Sequence, residues 1–140
     1  MKQAYRYFND TYQTRVHLFI GSREELDTWL RKSHGLKGES VGIDVNWAGG
    51  AFVLNNDKGQ NYAHFIWMAK FAIEPEDIDT LSHECLHTAV KIMSDRGCNM
   101  IVGDDSEQLN CLSGAIFRSF LKALLKEIKK ESTKEKTDAT

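Results

Sequence analysis

Two histidines four residues apart, with a glutamate beside the first, stand in the run His83-Glu84-Cys85-Leu86-His87. On a helix of 3.6 residues per turn, side chains at i and i+4 lie about 40° apart, so both imidazoles can reach one ion from the same side. Glu84 lies about 100° round from His83, which can set its carboxylate beside a metal's water instead of on the metal. The spacing is that of a zinc clamp with its own general base.

Catalytic zinc needs a third protein ligand and an open position for water. No histidine follows His87, and the metzincin extension is excluded because Val90 and Met93 stand where it needs Gly and His. The downstream donors are Asp95, Cys98, Asp104, Asp105, Glu107 and Cys111. Glu107 is the expected ligand: it follows His87 by 20 residues at the start of the last helix, and a turn through Gly97 and Gly103 can bring that helix beside the first. The site would then be His2Glu. In the competing reading, Glu107 is a first-turn carboxylate favoured by the helix dipole, after Asp104, Asp105 or Ser106 as N-cap. Asp104 and Asp105 are the reserve ligands, and either could instead orient a histidine.

The elements that must position this motif are legible in the surrounding pattern. Residues 16–20 (Val-His-Leu-Phe-Ile) form a β-prone run closed by Gly21, and Ser22 with Glu25 makes a capping box for a helix ending near 33, with Gly35 as its stop. Residues 35–50 hold five of the ten glycines and read as loop-rich, although 41–45 alternate like a strand. Residues 51–54 and 62–70 flank a turn-rich stretch, which predicts a hairpin. The only proline, Pro75, precedes Glu76 and Asp77, which suits the first turn of a helix over 76–95 ending at Gly97. Its apolar stripe is Ile78, Leu81, Cys85, Ala89 and Ile92, widened by Leu86 and Met93. A last helix over 106–130 carries Leu109, Leu112, Ile116, Phe120, Leu124 and Ile128 at helical spacing.

Together these predict a single α+β domain over 1–128: a small mixed or antiparallel sheet, three main helices, and the motif helix packed beside the last one. Residues 129–140 read as a charged, disordered tail. The 140 residues suit one core, and 18 basic against 20 acidic residues leave a net charge of -2 that nominates no nucleic acid. No apolar run reaches membrane length. The N-terminus lacks the pattern of a signal peptide, and Cys85, Cys98 and Cys111 have no C-x-x-C spacing, so a reducing cytoplasm is the expected compartment.

Beside the motif, the strand over 62–70 is the expected substrate-lining edge, with Tyr62, His64 and Trp67 as candidate contacts; placement at the surface or on the buried hairpin face is the stronger reading for each. Trp29, Trp47 and Trp67 read as core or loop anchors, and His17 and His34 lie outside any ligand spacing. Lys122, Lys126, Lys129 and Lys130 interleave with Glu127 and Glu131 as a solvated face.

H-E-x-x-H followed by a helix-borne Glu resembles the gluzincin branch of the zincin metallopeptidases. More narrowly, residues 79–90 and 105–109 look like the small single-domain metallopeptidases encoded by tailed bacteriophages, whose order of elements is similar. The resemblance implies one zinc per chain on His83, His87 and Glu107, Glu84 as general base, a peptide or protein substrate, and a host cytoplasm as the setting. Two other classes compete: a zinc-stabilised protein without hydrolytic activity, and a metal-free interaction or assembly module of a phage.

Overall fold

A computed structural model describes residues 1–35, 48–55, 61–98 and 105–139. Its order is β1 (Ala4–Asn9), β2 (Thr14–Ile20), α1 (Arg23–His34), β3 (Gly49–Asn55), β4 (Asn61–Met68), α2 (Pro75–Asp95) and α3 (Asp105–Asp138). The expected α+β architecture is present, and the sheet is mixed. Its four strands run β1-β2-β4-β3, with β2 and β4 parallel and both outer pairs antiparallel.

The runs 16–20 and 63–68 are apolar except for His17 and His64 because β2 and β4 are the two inner strands, covered on both faces. Val16, Leu18, Ile20, Ile66 and Met68 meet α2 and α3 on one face. Phe19, Ala63, Phe65 and Trp67 meet Leu26 and Leu30 of α1 on the other. Each Val, Leu, Ile, Phe or Met among them, fully buried, contributes roughly 1.5–3 kcal/mol. Among the described residues β3 has a strand on one side only, against β4, and β1 likewise pairs only with β2.

The start and stop signals act as their chemistry requires. Glu25 N–H donates to Ser22 Oγ at 3.1 Å, and Ser22 N–H donates to Glu25 Oε1 at 3.0 Å, closing the capping box of α1. Gly35 ends α1 at φ 65°, a left-handed conformation that suits glycine. Pro75 opens α2, and Ala72 N–H donates to the Asp77 carboxylate at 2.7 Å, tying the preceding loop to the first turn.

Four expectations are revised. β1 has no counterpart in the predicted elements; Tyr5 and Tyr7 pack inward from it, with the exposed Arg6 between them. Leu86 does not widen the α2 stripe but is 42% exposed on the histidine side. α3 extends to Asp138 instead of 130, so the stretch expected as a tail is helical, with Ser132 and Thr133 hydroxyls donating to the carbonyls of Ile128 and Lys129. The strand over 62–70 is not an edge, since β4 is paired on both sides. The strand-like 41–45, Trp47, Asp104 and the side chains of Tyr62 and Asp105 lie outside the described residues. Among the described residues, no helix is long and apolar enough to cross a membrane.

Candidate metal and hydrolase site

The motif lies in the middle of α2, whose apolar face of Leu81, Cys85, Ala89, Ile92 and Met93 is buried against the sheet and α3. That packing fixes the helix's rotation and turns two other rows of side chains towards β3. Asp79, His83, His87 and Lys91 form one row, and Thr80, Glu84 and Thr88 the next, each at i+4 steps of about 6 Å along the axis. With Ala48, residues 49–53 of β3 and His64 of β4 they line a groove of about 990 Å³.

His83 and His87 are exposed to this groove, and their Nε2 atoms converge to 2.9 Å. A tetrahedral ion about 2.0–2.1 Å from each nitrogen holds them roughly 3.3 Å apart, a separation a small ring rotation supplies. As imidazoles facing each other on one side of a helix, the two fit half of a zinc site. Their rings meet edge to face, with centroids 4.4 Å apart and planes at 83°.

Glu84 is 9% exposed, and burial pushes its carboxyl above the usual carboxylate range, while the neighbouring His83 and His87 pull it back down. Its position depends on a glycine. A Cβ on Gly49 would stand 2.9 Å from the Trp67 carbonyl oxygen, 3.0 Å from Thr80 Cγ2 and 3.7 Å from Glu84 Cγ, so only a residue without a side chain lets α2 lie this close to β3. Beneath Glu84, burial raises the Cys85 thiol to about 12, so Cys85 packs as a small hydrophobe and offers no thiolate at neutral pH.

Of the expected site residues, His83, Glu84 and His87 are gathered and Glu107 is not. Glu107 is exposed on the first turn of α3, and among the described residues no group of three His, Cys, Asp or Glu side chains is placed to hold a metal. Of the expected substrate contacts, His64 does line the groove; Trp67 does not, being buried on the α1 face with its indole N–H donating to the Gly21 carbonyl at 2.8 Å. The residues that sequence reasoning missed are Gly49, Asp79, Thr80, Thr88 and Lys91. The four on α2 follow from stepping i±4 from His83, Glu84 and His87; Gly49 carries no signal short of the fold.

Compared with family models, with curated proteins and with solved structures, the chain matches none.

Proposed function

We propose that this chain is a zinc-dependent metallopeptidase or amidase, with His83 and His87 as metal ligands, Glu84 as general base and Glu107 as the third ligand. The observation that carries the reading is the convergence of two imidazole nitrogens beside a buried glutamate in a groove long enough for an extended chain. The edge position of β3 supports it, because a peptide lying in the groove can pair with a strand that has only one neighbour among the described residues. Glu107 belongs to the helix that packs beside α2, and supplying it as a ligand calls for the first turn of α3 to move towards the histidines.

Zinc, when bound, supplies a Lewis acid that acidifies water and polarises a carbonyl. The rest is the work of the chain. Glu84 takes a proton from the attacking water, the water oxygen bonds to the carbonyl carbon, the C–N bond breaks, and Glu84 returns the proton to the leaving nitrogen. A partly desolvated carboxylate suits that exchange, since it is a stronger base than one in water.

Elemental analysis of native protein, His83→Ala and Glu107→Ala tests the site. About one zinc per chain, lost in both variants, supports the His2Glu set; zinc kept by Glu107→Ala moves the third ligand to Asp104 or Asp105. Glu84→Gln is expected to retain zinc while hydrolysis falls about 10²–10⁴-fold. Zinc without any hydrolysis returns the zinc-stabilised, non-catalytic reading, and a native protein that takes up no zinc leaves an interaction module.

A further inference from the structure

The groove is electrically polarised along its length, and the polarity says what kind of chain it fits. Asp79 stands one turn before His83, and Lys91 one turn after His87, so an acid and a base flank the histidine pair on the same wall. Their backbones are separated by about 18 Å along the helix axis, the length of five or six extended residues at about 3.3 Å each. Both side chains are exposed.

The Lys91 end has the makings of a carboxylate seat. The ammonium meets Asp95 at 3.2 Å, but with 51% of the lysine side chain exposed this is a surface i,i+4 pair of little strength, which another carboxylate can exchange. Arg96 stands in the next turn and donates to the Tyr12 carbonyl. Among these described residues, the two cations Lys91 and Arg96 outweigh the one carboxylate, Asp95.

The opposite wall adds a neutral donor. His64 points from β4 to the α2 face of the sheet and is only 4% exposed, and no hydrogen bond from either ring nitrogen is seen among the described residues. Burial, reinforced by Lys91 and Arg96 and opposed by Asp95, holds its pKa below the usual value. At neutral pH it presents an N–H donor and a lone pair, not a second full charge.

We propose that the groove selects extended peptides bearing an Asp or Glu side chain seated at Lys91 and His64, on the side of the histidine pair nearer the C-terminal end of α2, with a basic residue favoured on the Asp79 side. From the midpoint of the pair to Lys91 is roughly 9 Å along the axis, which places the acidic residue two or three positions from the residue over the histidines. This rests on the groove being a peptide site, but not on zinc or on hydrolysis.

The test is a degenerate nonapeptide library with a fixed central Phe, equilibrated with the Glu84→Gln protein and with that protein carrying Lys91→Met, Lys91→Arg or Asp79→Asn; retained peptides are read by mass spectrometry. We expect Asp and Glu enriched at least fivefold at positions on one side of the centre and Lys and Arg on the other. Lys91→Met removes the acidic enrichment, Lys91→Arg keeps it, and Asp79→Asn removes only the basic one. Acidic enrichment that survives Lys91→Met, or no enrichment of any peptide, overturns the inference. Enrichment as expected with no cleavage of the same library by the zinc-loaded native protein sinks the peptidase reading and leaves the polarity intact. Cleavage with no charge preference does the reverse.

Discussion

Glu84 and Gly49 show how much of a reactive group's behaviour is decided by its neighbour. The glutamate is buried because α2 lies against β3, and α2 lies there because residue 49 has no Cβ. Gly49→Ala therefore tests the placement without touching a reacting atom. The added methyl meets the Trp67 carbonyl of β4, which cannot turn aside, and Thr80 Cγ2 of α2, so β3 and α2 must move apart, at about 1–3 kcal/mol of stability measured by urea unfolding. Hydrolysis by the folded variant is expected to fall with it. Thr80→Ser in the same background removes the Cγ2 that stands 3.0 Å from the new atom and should recover part of the stability; no recovery would mean that the Trp67 carbonyl alone sets the limit. The motif itself was readable at this scale because it is a local pattern on one helix. Gly49 was not, since nothing in Gly49-Gly50 distinguishes a loop glycine from one pressed between a strand and a helix.

At the scale of the element, what could be read was whatever a few neighbouring residues settle among themselves. Ser22 with Glu25, and Asp77 with the Ala72 N–H, fix helix starts through contacts three to five residues apart, and α1 and α2 begin where those residues say. Pairing between distant segments left weaker marks. The pattern of 62–70 suggests an edge, yet its apolar core 65–68 is what an inner strand needs when Ile66 and Met68 face one layer and Phe65 and Trp67 the other. His17 and His34, which have no ligand spacing in the sequence, meet with ring centroids 5.0 Å apart where α1 closes on the sheet, and His17 stacks on Phe65. Burial, followed by the charges of His34, Arg6 and Arg15, lowers the His17 pKa from 6.5 to about 4. A pKa lower in the folded than in the unfolded state means that the unfolded chain binds the proton more readily. The stability His17 contributes is thus complete above pH 6.5 and is lost as pH falls towards 4. After allowance for its partial exposure the loss is on the order of 1 kcal/mol. Urea midpoints between pH 7.5 and 4 should show the decline for native protein and a shallower one for His17→Phe, which keeps the ring stacking but cannot be charged. An unchanged slope would assign the acid sensitivity to other groups.

For the molecule as a whole, the sheet is a partition. α1 covers one face, α2 and α3 the other, and the groove opens where α2 passes the β3 edge. The last helix serves this arrangement unequally along its length. Leu112, Ile116, Phe120 and Leu124 are buried in the core that holds α2 in place, whereas from Ser132 to Ala139 every residue is exposed. Charge composition alone suggested disorder there. The helix continues because Lys and Glu are good helix formers and the Ser and Thr hydroxyls return to carbonyls one turn back, neither of which needs a core. Helix without burial adds little to global stability. Deleting 132–140 leaves the Met1 ammonium's 2.7 Å contact with Glu131 in place and should shift the unfolding free energy by less than about 0.5 kcal/mol. Phe120→Ala, by contrast, opens a cavity under α2 and is expected to cost about 3–5 kcal/mol. Native-state hydrogen exchange on the full chain separates the two ends directly: amides near Phe120 should exchange only by global unfolding, and those beyond 132 by local fraying. Slow exchange at both ends would mean that the exposed stretch is held by something beyond its own turns, and the deletion would then prove costly as well.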